Sequence, residues 1–137
     1  MVWAGSTTSK ALNKFGQFSF SQNGFDADGE AGDVIDLFEL FNGLKQAPQY
    51  ASCYLSSSHA TAVTDVVSMK LQGSVDGLNW DDLAEITDAD VANGGTASEY
   101  SDVVSATAFP TIGYRYFRFN CVTVGSGNTL SPTAVLW

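Results

Sequence analysis

Val67-Ser68-Met69-Lys70-Leu71-Gln72-Gly73-Ser74-Val75-Asp76-Gly77-Leu78-Asn79-Trp80 alternates in polarity and then turns. Val67, Met69 and Leu71 fall on one side, Ser68, Lys70 and Gln72 on the other, which is the period of a half-buried β-strand. Asp76-Gly77 supplies the turn, because glycine reaches positive φ without strain and aspartate tolerates it. Trp80 follows the turn and is placed to fold back as a lid over the end of a β-sandwich. No stretch of the chain has a comparable pattern for catalysis.

The same period continues outward from this hairpin. Residues 114–124 form the strongest candidate strand, with Phe117, Phe119 and Cys121 on one face and Tyr116, Arg118 and Asn120 on the other. Residues 129–137 follow a Gly125-Ser126-Gly127-Asn128 turn, with Thr133, Val135 and Trp137 alternating against Ala134 and Leu136. Further strands are expected at 15–22, where Phe18 and Phe20 share a face, at 50–57 with Cys53 and Leu55 inward, at 83–87 and at 98–106. Roughly eight strands at short regular spacing are the signature of a sandwich or barrel. Residues 33–42 are the one ambiguous segment: Val34, Leu37, Phe38 and Phe41 have helical spacing, yet a strand also fits and suits its all-β surroundings. No internal repeat or linker divides the chain.

Composition agrees with one β-domain. A chain of 137 residues can bury a core without disulfide or metal staples. Hydrophobic residues are 45% and charged residues only 15%, so the surface relies on Ser, Thr, Asn, Gln and Gly. Nine Phe, five Tyr and three Trp are too many aromatics for a disordered chain. The two cysteines, Cys53 and Cys121, both lie in apolar alternating strands and are read as buried free thiols in preference to a bridge. Residues 1–8 have neither a basic nor an apolar signal region, and no apolar run is long enough for a membrane-spanning helix, so cytosolic synthesis is expected.

The chemistry-bearing residues are sparse. His59 stands alone beside a serine run, a pattern far more often surface than catalytic triad. Asp26-Ala27-Asp28-Gly29 resembles the start of a calcium loop, but the later ligands fail and no bidentate Glu closes the site, so a solvated hairpin or Ω-loop is expected for 26–33. Metal clusters of His or Cys and a phosphate loop with Lys are missing from the sequence. Paired carboxylates of a glycosidase could still sit among the acidic loops. No catalytic residue, metal or cofactor is therefore assigned, and the chain is expected to be no enzyme.

Residues 1–14 are small and polar, with Trp3 isolated among them, and read as an N-terminal arm. The arm is either a frayed end or an extension that orders on a partner with Trp3 as anchor. Arg115 and Arg118 lie on opposite faces of one strand, so at least one faces solvent, a partner or a buried carboxylate.

Leu71-Gln-Gly-Ser-Val-Asp-Gly-Leu-Asn-Trp80 and Arg115-Tyr-Phe-Arg118, with the later Gly125-Ser-Gly127 and Ser131-Pro-Thr-Ala134, resemble two groups. One is the discoidin-type, galactose-binding-like jelly roll, with its S-x-D-G-x-x-W hairpin and later R-Y-x-R strand. The other is a set of small tailed-phage virion proteins, including capsid decoration (cement) proteins. The resemblance runs from residue 66 to the end. The clasping terminal cysteines and secretion signal usual in discoidin domains are not seen, and the acidic balance suits a particle component. Together the readings predict an all-β chain: a single antiparallel β-sandwich of jelly-roll type with about eight strands over 15–137. The resemblance implies a virion protein on the capsid exterior, assembled in the host cytoplasm. It further implies the major capsid protein as partner and a homotrimer as oligomer. Candidate partner contacts are Trp3, Lys10, Lys14, Arg115 and Trp137. A carbohydrate-binding module of galactose-binding-like type is the alternative.

Six basic residues against 15 acidic ones give a net charge of −9, and the basic ones never cluster. A nucleic-acid binder needs a positive stripe to displace condensed counterions, and an anionic membrane surface makes the same demand. The protein should therefore give no mobility shift with DNA or RNA at ordinary salt. Tight, salt-sensitive binding would contradict this reading.

Overall fold

The computed structural model describes residues 7–12, 17–37, 50–57, 67–87, 99–104, 113–124 and 129–137. These form ten strands: β1 (Thr7–Leu12), β2 (Phe18–Asn23), β3 (Glu30–Ala31), β4 (Ile35–Asp36), β5 (Ala51–Ser57), β6 (Ser68–Ser74), β7 (Asp81–Thr87), β8 (Glu99–Val104), β9 (Tyr116–Thr123) and β10 (Leu130–Leu136). Eight have six or more residues, while β3 and β4 are two-residue pieces of one broken edge. One sheet runs β1-β2-β10-β5-β8, and the other β3-β9-β6-β7 with β4 also pairing β9. Every pairing is antiparallel.

This order is a jelly roll. β2 pairs β10, the β3/β4 edge pairs β9, β5 pairs β8 and β6 pairs β7, as if one long hairpin were rolled up. β1 adds one more strand beside β2. The expected all-β sandwich is therefore present, and its alternation is the one read from the sequence. Phe117, Phe119 and Cys121 of β9 are buried, as are Ala51, Cys53 and Leu55 of β5 and Ala134 and Leu136 of β10. Phe20 of one sheet meets Phe119 of the other with ring centroids 5.0 Å apart, within the range of favourable aromatic pairs. Each such ring contributes about 1.5–3 kcal/mol by leaving water. Both cysteines are free and buried, one in each sheet.

Two local expectations change, and one open segment is decided in part. Residues 7–12 of the expected arm form β1, because their backbone groups find partners along β2 from Thr7↔Asn23 to Leu12↔Phe18. Residues 1–6 and 13–14 of the arm lie outside the described residues. The 26–33 loop is not solvated throughout: Glu30 is 2% exposed and starts β3, accepting the Asp26 and Ala27 N–H groups at 3.0 and 2.6 Å. Asp28 accepts the Val124 N–H at 2.9 Å, so the loop's carboxylates close its own backbone and fasten it to the end of β9. In the ambiguous segment, Ile35–Asp36 pair with β9 and Leu37 is helical, while 38–42 lie outside the described residues.

The break between β3 and β4 has a cost that a residue of the opposite sheet offsets. Gly32 donates its N–H to the Phe119 carbonyl at 2.8 Å, but the Phe119 N–H has no strand partner there. Fully buried Gln22 of β2 supplies one: its Oε1 accepts that N–H at 3.1 Å, and its Nε2 donates to the Asp33 carbonyl at 2.8 Å. A Cβ on Gly32 would overlap the Gln22 carboxamide and push it off the Phe119 N–H. Replacing Gln22 with leucine keeps the bulk and strands the Phe119 N–H, a loss of about 1–3 kcal/mol. Q22L and G32A should both lower the urea midpoint with an unchanged slope, and a wild-type midpoint in Q22L would show that the carboxamide is not needed.

Candidate functional site

The hairpin that opened the sequence reading and the strand that completes the resemblance lie side by side, since β6 pairs with β9. A β-bulge sets their outer face. Leu71 opposes Ala84, but Gln72 opposes Asp82, so Leu83 is the extra residue on β7. Leu83 and Ala84 are accordingly both buried in succession, and the parity of β7 changes between them. Without the bulge Leu83 would oppose Gln72 and share its outer face; with it, Asp82, Gln72 and Arg118 align across three strands.

These residues form a directional polar ladder. Arg118 Nε donates to Gln72 Oε1 at 2.9 Å, Gln72 Nε2 donates to Asp82 Oδ1 at 2.8 Å, and Lys70 Nζ donates to Asp82 Oδ2 at 2.8 Å. The arginine and the carboxylate fix the orientation of the amide between them. Asp82 is held below its ordinary value, first by Gln72 and then by Lys70, and Lys70 is raised chiefly by its bond to Asp82. Both members of that ion pair keep solvent contact, so its contribution is of the order of 0–1 kcal/mol. The Arg118 guanidinium also lies over the Trp80 ring, 4.1 Å from its centroid. Trp80 is half-buried and clamps this outer face rather than filling the core.

Beyond β6 the turn is pinned by one carboxylate. Asp76 accepts from the Leu78 and Asn79 N–H groups at 2.8 Å, from Asn79 Nδ2 at 2.7 Å and from Ser74 Oγ at 3.0 Å. Ser74 Oγ in turn accepts the Gly77 N–H at 2.8 Å. Gly77 has φ 78°, and a Cβ there would sit 3.6 Å from the Tyr116 ring. The backbone N–H of Asn79, then that of Leu78, hold Asp76 far below the usual carboxylate range. At the foot of the hairpin the Tyr114 hydroxyl donates to Asp81 at 2.8 Å; burial and then that carboxylate push Tyr114 up to about 12.

The sequence-derived contact candidates are scattered. Arg115 forms a bidentate pair with Asp36, Nε and an Nη each at 2.8 Å, and lies 4.9 Å from the Tyr116 ring centroid. Of the two arginines, Arg115 thus meets a carboxylate across the sheet edge and Arg118 an aromatic face. Trp137 stacks on Tyr50 at 5.7 Å and 10°, their backbones exchange two hydrogen bonds, and the indole remains 41% exposed. Lys10 pairs with Phe20 in register and therefore lies on the core-facing side, yet it is exposed, so β1 overhangs the core. An inward-pointing charge of this kind discourages edge-to-edge pairing. Trp3, Lys14 and His59 lie outside the described residues. Sequence reading missed Gln72, Asp82 and the full role of Asp76. Only the Asp76-Gly77 turn signal could have found one of them.

No family model matches the chain, and no curated protein matches it. Among solved structures, a protein from the SPBc2 prophage, YomS, is similar at TM-score 0.42 and 11% identity, covering 88% of this chain and 95% of that one. A CBM4 structure is similar at TM-score 0.43 and 9% identity, covering 95% of this chain and 76% of that one. Peruvianin-I, a cysteine peptidase from Thevetia peruviana latex, is similar at TM-score 0.37 and 11% identity, covering 96% and 61%. At these scores and identities the likenesses carry no argument about activity.

Because Asp76 is lowered in the folded protein, its contribution is fully present above the ordinary value of 3.8 and is lost as pH falls through the folded pKa. The hairpin should therefore hold at pH 4 and loosen only in stronger acid. D76A should speed hydrogen exchange at the Leu78 and Asn79 amides at neutral pH while sparing β9. Unchanged exchange at both amides would mean the turn is held by something else.

Proposed function

We propose that this chain is a structural protein of a tailed-phage virion, a decoration protein that sits outside the head and bridges neighbouring shell subunits. The observation that carries the reading is the fate of the residues on which the resemblance rests. Asp76, Trp80, Arg115 and Arg118 are engaged with one another's neighbours: Asp76 with its own turn, Arg118 with Trp80 and Gln72, Arg115 with Asp36. The motif stiffens a hairpin against a strand, which is what a protein under mechanical load requires of its shared residues. In this reading the chain performs no chemistry. It buries surface across seams between shell subunits, and those contacts must break before the shell opens, so binding stabilises the closed head. The acidic surface keeps decorated particles apart. The homotrimer and the outward location belong to the same proposal.

A second reading, a carbohydrate-binding module, is favoured by one feature, the exposed Trp137 indole backed by Tyr50 at the end of β10. Immunogold labelling of purified particles from the source culture, with antibody to this chain, separates the two. Label over phage heads, with a trimer in sedimentation, is the expected result. Particles that carry no label while the chain is present in the culture would overturn it, and specific glycan-array binding abolished by W137A would install the second reading.

A further inference from the structure

Leu78, at 83% exposure, is the most exposed large apolar side chain among the described residues, and Val75 in the same turn is 49% exposed. Single exposed apolar residues are common and need no explanation. What distinguishes this pair is the backbone beneath it. The Asp76 carboxylate holds the Leu78 N–H itself, and Ser74 holds Gly77. Gly77 faces the Tyr116 ring, which lies beneath the Arg115 guanidinium that Asp36 clamps. A loose loop could lay its leucine back on the surface; this one is braced from within and from β9. A preorganised apolar projection loses little conformational entropy on binding, which is the condition for an efficient contact.

Charge narrows the occupant. Asp76 sits in the tip and Asp81 at its foot, while Asp82 is paired with Lys70, and the whole chain carries −9. Nucleic acid and anionic membrane are repelled, and the tip of a second copy brings the same carboxylates face to face. A protein surface with a shallow apolar socket and a Lys/Arg rim complements it. We propose that the Val75–Leu78 tip is the contact through which this chain docks on such a protein. Under the reading above, on which the inference rests, that protein is the shell subunit of the head. This adds a contact that the sequence candidates did not include.

The test uses labelled full-length chain and phage heads from the source culture stripped of accessory proteins. L78S and L78K, each with V75S, should keep the wild-type circular dichroism and urea midpoint, because both side chains are exposed. Binding to the heads should fall by about tenfold or more, as for truncation of a central contact. V34S, which removes another exposed apolar side chain at the β3/β4 edge, across β9 from the hairpin, should bind as wild type. Wild-type binding should weaken as salt rises, as a basic rim requires. If wild type binds and both tip variants bind within about twofold of it, the contact lies elsewhere and the virion reading stands. Salt-independent binding would overturn the basic rim, and a wild-type chain that never binds heads would overturn both proposals.

Discussion

The carboxamide of Gln22 is the interaction on which the two sheets converge. β9 is the pivot of its sheet, paired to β6 on one side and to the broken β3/β4 edge on the other. At the break, the Phe119 N–H points to a place where no strand continues, and a buried N–H without a partner is costly. Gln22 reaches it from the opposite sheet, 97 residues away in sequence, and returns its own N–H to Asp33. One side chain thereby satisfies the gap and ties both layers at the Phe20–Phe119 contact. The same break lets the chain turn inward at Glu30 and again at Ile35, bringing Asp36 under Arg115.

With β9 fixed, the outer face of its sheet follows. The register Gln72↔Arg118 places an amide beside a guanidinium, and the bulge at Leu83 brings Asp82 to the amide's other side. Hydrogen bonds at this half-exposed surface are individually modest. Their combined effect is directional, because each partner fixes the rotamer of the next and leaves Arg118 stacked on Trp80. The hairpin is therefore held at its base by Tyr114 and Asp81, along its face by the ladder, and at its tip by Asp76. Rigidity of this kind suits a part that transmits force or presents a contact. The polar groups of this face are largely committed to the protein itself.

Burial also sets how the core responds to pH. Cys121 is pushed up to about 12, chiefly by burial and then by Glu30 and Asp28, and Tyr114 likewise by burial and then Asp81. Both are kept neutral by the fold. Their stabilising contribution is fully present at neutral pH, below their ordinary values, and is lost as pH rises towards about 12. The acid side is governed by the lowered carboxylates Asp76 and Asp82, whose contribution disappears only as pH falls below the ordinary carboxylate value. The fold is thus protected across the middle of the range from two directions by different groups.

Sequence alone determined most of the strands, the inward phenylalanines and cysteines, the Asp76-Gly77 turn and the all-β class. Each is a local pattern, a side chain alternating with period two or a glycine where φ must be positive, and such patterns need no knowledge of neighbours. The polar 7–12 segment escaped because Thr, Ser and Lys on an edge strand have no apolar alternation to show. Gln22 and Glu30 escaped because a polar residue reads as surface until the backbone group it satisfies is known. The ladder and the Arg115–Asp36 clamp join residues 46 and 79 positions apart. Which side chains meet across such distances depends on strand order, register and one inserted residue in β7. A shift of one residue would turn every side chain of a strand to the other face, so only the folded sheet could decide those partners.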